Sequence, residues 1–151
     1  PTRRSSDLCH AEVGADLAHP ILADLDLEEY RKENILHCIR THRFRGNRIP
    51  GTREARILFD ADKLDAIGAV GVARAYLFAG EIGARLHNPE IDVVDSADYS
   101  LDDTGYREFR VKLSRIKDRM LTETGRRMAR NRHAFMKAFF KRFLSECQGI
   151  R

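Results

Sequence analysis

The sequence predicts an all-α fold, and two observations carry that prediction. Five stretches repeat their apolar residues with a period near 3.6, and no stretch alternates apolar and polar residues as a half-buried strand would. The 151 residues are 42% hydrophobic and 33% charged, which is typical of one folded globular domain. We therefore expect a bundle of about five helices.

The first two predicted helices follow one another closely. The first covers residues 10–25 and is expected to kink or split at Pro20, which lacks a backbone donor. Asp26, with Glu29 three residues later, is a start signal for the second helix, which covers residues 26–42.

The third predicted helix covers residues 53–79 and begins after Thr52, which can cap it. Gly68 and Gly71 each weaken a helix by about 1 kcal/mol relative to alanine. We therefore expect a neighbouring helix to approach closely at these two positions. Residues 87–103 carry turn formers and acids without a period, which indicates a loop, and we expect a disordered surface connection rather than a lid.

Two more helices are predicted in the C-terminal third. The fourth directs five residues inward: Tyr106, Phe109, Leu113, Ile116 and Met120. The last covers residues 123–147 and directs four residues inward: Met128, Phe135, Phe139 and Phe143. Its opposite face is basic, which favours a solvated surface over contact with nucleic acid.

Four polar residues fall on predicted inner faces. Counting by the helical repeat from Leu58 places Asp62 and Asp65 in the middle of an otherwise mostly apolar stripe. By the same count, His10 and His42 share the inner faces of the first two helices. Burying an ionised carboxylate costs several kcal/mol unless a positive or hydrogen-bonding group meets it, so the two acids require partners.

Two imidazoles with one or two carboxylates are a ligand set that Zn, Mn, Fe or Ni accepts. The residues alone leave two alternatives open. An arginine such as Arg74 or Arg40 can neutralise one acid without a metal, and the four side chains can form a buried polar network.

The segment DADKLDAIGAVGVARAYLFAG (Asp60 to Gly80) resembles the HD superfamily of metal-dependent phosphohydrolases. The likeness continues through HCIRTHRFRG, TREARIL and KLSRIKDRMLTETGRRMARNRHAFM, and it extends from Cys9 to the C-terminus. It implies the C-terminal part of an all-α HD bundle, hydrolysis of a phosphorylated small molecule, nucleotides as the usual substrate class and a divalent metal ion, whether Mn, Fe, Zn, Ni or Mg.

In that superfamily a first His, an adjacent His-Asp pair and a distant Asp hold the metal. Asp62 corresponds to the distant Asp, so the resemblance makes it a metal ligand with a catalytic role. Asp65, one turn on, is the second candidate catalytic residue and is expected to orient a ligand or to pair with a base. His10 and His42 stand where some members bind a second metal.

The N-terminus departs from the family pattern. The chain has no His-Asp dipeptide, and PTRRSSDL (residues 1–8) can be back-translated into a sequencing-library adapter. We therefore expect residues 1–8 to be a non-native extension and residues 9–151 to be an HD-type domain that lacks its N-terminal helices. The complete protein would be an enzyme, and this piece would be inactive and would expose apolar faces of its third helix.

Cations near the candidate metal ligands are expected to bind substrate phosphates. They are Arg43, Arg45, Arg48 and Lys63. A solvated basic loop is the alternative for each of them. The net charge of +4 is spread among interspersed acids and bases, so nucleic acid is an unfavoured partner. The competing function is a non-catalytic helical module that binds nucleic acid or a regulatory nucleotide through its basic surface.

No apolar run approaches the ~18 residues that a membrane span needs, and no N-terminal signal is visible. Three cysteines without a CxxC motif indicate reduced thiols. We expect a cytoplasmic protein without a membrane partner.

Overall fold

A computed structural model describes residues 10–43 and 48–150 of the chain. These residues form six α-helices and one 3₁₀ helix, and no strand occurs among them. The all-α prediction is confirmed. The chain divides into two compact units, one ending at Asp62 and the other beginning at Lys63.

The unit that ends at Asp62 begins with a helical hairpin. Helices α1 (His10–Ala23) and α2 (Glu29–Thr41) pack together through a small core of Ala15, Leu22 and Leu36. This hairpin brings the start of α1 next to the end of α2, which is where the predicted histidine ligands lie.

Helix α1 buries a different face from the one predicted. Ala11 and Ala15 are fully buried, whereas Leu17 and Ile21 are exposed by 67% and 65%. The small alanines lie on the face that packs against α2, and the larger apolar residues lie outside it. The helix also continues through Pro20 rather than being split there.

The predicted caps have different outcomes. Helix α2 begins at Glu29, later than the signal at Asp26 predicted. Glu28, which precedes it, makes no side-chain cap. The prediction for Thr52 is confirmed, because its Oγ1 accepts a hydrogen bond from the backbone N–H of Ala55 at 3.2 Å. Thr52 thereby caps the helix that follows it.

The third predicted helix is in fact two helices, α3 (Arg53–Asp65) and α4 (Gly68–Glu81). The chain breaks between them because Gly68 has a φ of +82°, a conformation that favours glycine. Gly71 lies against the carbonyl group of Ala66, where a Cβ atom would have no room. The close approach expected at this second glycine therefore comes from the inter-helix turn rather than from a neighbouring helix.

The second unit packs α4 against three further elements. They are α5 (Gly105–Val111), a 3₁₀ helix (Leu113–Arg119) and α6 (Glu123–Cys147). The predicted fourth helix is therefore α5 followed by the 3₁₀ helix, while the predicted bounds of the last helix are confirmed. The core comprises Leu64, Ile67, Val72, Ala75, Phe109, Leu113, Ile116, Met120, Ala129, Met136 and Phe140.

The buried face of α6 is rotated from the predicted one. Phe140 is almost fully buried, while Phe139 and Phe143 pack at the edge of the core. Met128 and Phe135 were predicted to face inward and are exposed. The predicted stripe followed the regular spacing of phenylalanines, but the core takes the neighbouring face, which begins one residue later.

The connection from α4 to α5 has no helix or strand, as predicted, but it is held by side chains. The buried guanidinium of Arg107 donates hydrogen bonds to Asp98, to Asp103 and to the backbone oxygen of Ser96, at 2.7–3.0 Å. This network organises the acidic part of the connection around one cation, which is inconsistent with a disordered loop.

Candidate metal centre

The two predicted histidine ligands meet at the open end of the α1–α2 hairpin. Nε2 of His10 lies 3.3 Å from Nε2 of His42, and the ring centroids are 5.3 Å apart. The predicted pairing of these residues is therefore present. Their burial was predicted wrongly, because His10 is exposed and His42 is half-buried.

A backbone contact fixes the proton on the His42 ring. Its Nδ1 lies 2.6 Å from the carbonyl oxygen of Ile39, which can only accept a hydrogen bond. Nδ1 therefore carries a hydrogen, and in the neutral form of the ring Nε2 presents its lone pair toward His10. Metal-binding histidines are commonly oriented by this kind of contact from the other ring nitrogen.

The separation of the two nitrogens suits a shared cation. Two ligands at about 2.0–2.1 Å from a tetrahedral zinc ion lie about 3.3–3.4 Å apart. The observed 3.3 Å matches that spacing and also suits a direct N–H···N hydrogen bond. The imidazole pair therefore fits two positions in the coordination of a divalent metal.

The predicted carboxylate ligand does not join this pair. Asp62 is exposed, which corrects the prediction that it faces inward. Within residues 10–43 and 48–150, no group of three or more His, Cys, Asp or Glu side chains is arranged to hold a metal. The described residues thus supply a partial donor set.

The face of α3 that is buried differs from the predicted stripe. Asp60 is only 3% exposed and Lys63 is also buried, while Leu58 is exposed. The stripe through Asp62 was counted from Leu58, which lies on the exposed face of α3, whereas the buried face passes through Ala55, Phe59, Lys63 and Leu64. Lys63 was predicted to bind a substrate phosphate, and its side chain is buried in the structure.

Asp65 pairs with a base, which is one of the two roles predicted for it. Its Oδ2 accepts a hydrogen bond from the guanidinium of Arg74, and both side chains are exposed. An exposed pair of this kind contributes about 1 kcal/mol or less to stability. Asp65 was also predicted to face inward, and that prediction is wrong.

The predicted phosphate-binding arginines have three different outcomes. Arg48 forms an ion pair with Glu12, with a distance of 3.0 Å from Nη2 to Oε1. Arg43 is half-buried, and Arg45 lies outside the described residues. Glu12 also contacts Arg40, at 3.6 Å from Oε2 to Nε.

Sequence reasoning missed the roles of Glu12 and His37. His37 was interpreted as a surface residue, but its Nε2 accepts the backbone N–H of Gly51 at 2.9 Å and holds the segment that leads into α3. A helical count shows which residues share a face of one helix. It contains no information about a contact made across a loop.

Comparison with known proteins identifies the family. A model of the HD domain matches residues 2–67. The uncharacterized protein YpgQ of Bacillus subtilis is 38% identical over 126 residues, which cover 79% of this chain and 56% of YpgQ. A crystal structure of YpgQ matches with a TM-score of 0.72 at 31% identity, over 97% of this chain and 70% of that chain. The chain belongs to the HD-domain family.

Two more solved structures match this chain. The crystal structure of an HD-superfamily hydrolase from Bacillus thuringiensis has a TM-score of 0.74 at 29% identity, over 91% of this chain and 64% of that chain. The crystal structure of YpgQ in complex with ADP has a TM-score of 0.69 at 33% identity, over 91% and 66% of the two chains.

This HD-domain chain spans just over half of YpgQ, 56% of its sequence. HD domains generally depend on divalent metal ions, and the imidazole pair fits part of such a site. None of the helices in the described part of the chain is long and apolar enough to cross a membrane.

Proposed function

We propose that this chain is part of a metal-dependent phosphohydrolase that acts on a phosphorylated small molecule, with nucleotides as its substrate class. The observation that carries the proposal is the 3.3 Å approach of the two Nε2 atoms of His10 and His42. Membership of the HD-domain family supplies the reaction class, and this pair supplies donor atoms suited to the metal that the reaction requires.

His10 and His42 would hold a divalent ion through Nε2, and Asp62 is the carboxylate that the family likeness assigns to the metal. When bound, such an ion supplies Lewis-acid polarisation of a phosphoryl oxygen. The carbonyl oxygen of Ile39 keeps the hydrogen of His42 on Nδ1 and orients Nε2 toward His10.

The other candidate residues contribute through charge. Arg43 and Arg48 follow His42 closely in the chain and are the cations proposed to hold substrate phosphate. The carboxylate of Asp65 is already paired with Arg74. We therefore leave Asp65 out of the proposed chemistry.

The nucleotide class is supported by a relative. A crystal structure of YpgQ, at 33% identity to this chain, contains ADP. The guanidinium of Arg48, which is exposed in the segment after α2, can bind the phosphates of such a ligand. No described residue is assigned to the base or the sugar.

Phosphate release by the complete protein tests the proposal. Nucleoside mono-, di- and triphosphates would be supplied with Mn²⁺, Zn²⁺ or Mg²⁺, and also with a chelator. We expect turnover that requires the metal and falls by at least about 100-fold in His42→Ala, because even the partners that orient metal ligands contribute 10–100-fold. Asp62→Asn is expected to lose activity to a similar extent.

His19→Ala is the matched control for His42→Ala, because His19 is an exposed histidine on α1 away from the imidazole pair. It should retain both activity and bound metal. Turnover that survives chelation, or a fully active His42→Ala protein, would contradict the proposed function.

A further inference from the structure

One carboxylate in the first unit is shared by two arginines. Oε1 of Glu12 lies 3.0 Å from Nη2 of Arg48, and Oε2 lies 3.6 Å from Nε of Arg40. The two oxygens of one anionic group thus face two guanidinium groups that come from different parts of the chain.

This arginine clamp, defined as Glu12, Arg40 and Arg48, lies near the histidine pair along both helices of the hairpin. Glu12 is two residues after His10 on α1, and Arg40 is two residues before His42 on α2. The clamp and the histidine pair are therefore within one turn of each other along the helix axis, although side chains two residues apart point to different sides of a helix.

The clamp is accessible and its two arginines are not equivalent. The side chain of Arg48 is 60% exposed and that of Arg40 is 29% exposed. Arg40 has a second carboxylate partner, Asp16, at 3.9 Å. A solute can therefore replace Glu12 on Arg48 at a lower cost in free energy than on Arg40.

Phosphate competes with carboxylate for guanidinium. Both groups present two oxygens to the planar N–H fork of arginine, and a phosphate group can carry more negative charge. The ion pair that it would replace is at the surface, where such pairs contribute about 1 kcal/mol or less. Exchange of one anion for the other is therefore energetically accessible.

We propose that the carboxylate of Glu12 occupies Arg48 and Arg40 as an internal counter-ion, and that the substrate phosphate displaces Glu12 from Arg48. This inference rests on the proposed function and adds how its substrate phosphate is received. Before substrate arrives, Glu12 pairs with both arginines and leaves the clamp with a net positive charge, and after exchange Arg40 retains the carboxylate while Arg48 holds the phosphate.

Binding of inorganic phosphate and of ADP, measured by titration calorimetry, tests the exchange in the complete protein. Glu12→Gln keeps the shape of the side chain and removes the competing charge. Because a surface ion pair is weak, we expect phosphate to bind about 1.5- to 5-fold more tightly to this variant. Arg48→Gln should weaken binding by at least about tenfold.

A double variant and a charge control make the result specific. Glu12→Gln should give no gain when combined with Arg48→Gln, because the competition requires both partners. Glu33→Gln removes one exposed carboxylate from α2 and should leave the affinity unchanged. Circular dichroism would verify that every variant is folded.

Unchanged or weaker phosphate binding in folded Glu12→Gln would overturn the inference, as would absence of phosphate binding in both proteins. A gain that persists in the double variant would also overturn it. These results are separable from failure of the proposed function, which is judged by metal-dependent turnover. In an active enzyme, Glu12→Gln should lower the KM for the nucleotide and leave kcat unchanged.

Discussion

Replacing Gly71 by alanine places a methyl group where the chain has no room for it. A Cβ atom at position 71 would lie 2.2 Å from the carbonyl oxygen of Ala66 and 2.6 Å from its carbonyl carbon. Contacts under 3.0 Å are essentially never made by real Cβ atoms. Because the obstacle is backbone, either the turn between α3 and α4 must open or α4 must move.

The expected destabilisation follows from two opposed contributions. Overpacking costs about 1–3 kcal/mol, and the upper end applies because no flexible side chain can yield. Replacing glycine by alanine in a helix recovers about 1 kcal/mol. The difference is a loss of about 2 kcal/mol in the free energy of unfolding. For a chain of 151 residues this corresponds to a Tm lower by about 4–8 °C.

The same helix offers a matched control in Gly80. A Cβ atom at this exposed position meets nothing within 4 Å, so only the helix propensity changes. We expect Gly80→Ala to be more stable than the wild type by about 0.5 kcal/mol, a low value because α4 ends at Glu81. The two identical substitutions should therefore change stability in opposite directions.

Urea unfolding followed by circular dichroism measures both variants. The slope of the free energy with urea must stay constant across the series for the comparison to hold. A Gly71→Ala protein as stable as the wild type would refute the close packing at the α3–α4 turn. Equal losses in both glycine variants would refute the explanation by a local clash.

Two further predictions concern the second unit. Arg107→Met removes the cation that Asp103 and the preceding loop contact. Breaking a buried ion pair should lower the free energy of unfolding in urea by about 3 kcal/mol and speed amide exchange in residues 88–104. Unchanged amide exchange would contradict this prediction. Burial, with two nearby lysines, lowers the pKa of His133. The unfolded state therefore binds the proton more readily, so stability should fall as the pH drops below about 6.5, and this dependence should weaken in His133→Phe.

Local signals in the sequence predicted the parts of the fold that depend on neighbouring residues. Thr52 caps α3 as predicted, whereas the start signal at Asp26 placed α2 too early. Thr122, which no prediction named, caps α6 by accepting the N–H of Gly125 at 2.9 Å. Such caps need only a short side chain next to the first helical turn. The break at Gly68 was missed because helix formers flank it on both sides, and its positive φ is visible only in three dimensions.

Which face of a helix is buried was harder to predict. The inner stripe of α1 was chosen by its large apolar residues, but the helix packs against α2 through alanines. Small residues allow close approach of two helices without contributing to the apolar pattern. His10 was therefore predicted to face inward with Leu17, which is wrong. Its predicted proximity to His42 is nevertheless present.

These differences change the physical basis of the metal hypothesis. It began from the cost of burying a carboxylate, and that cost does not apply to Asp62 because its side chain is exposed. The stronger argument now comes from the imidazoles. With its hydrogen on Nδ1, a neutral His42 ring presents a lone pair 3.3 Å from Nε2 of His10, a gap that suits the hydrogen of a neutral His10 or a metal ion. Either a proton or a metal ion must lie between them. Because both occupy the same space, a metal ion that binds here must displace that hydrogen.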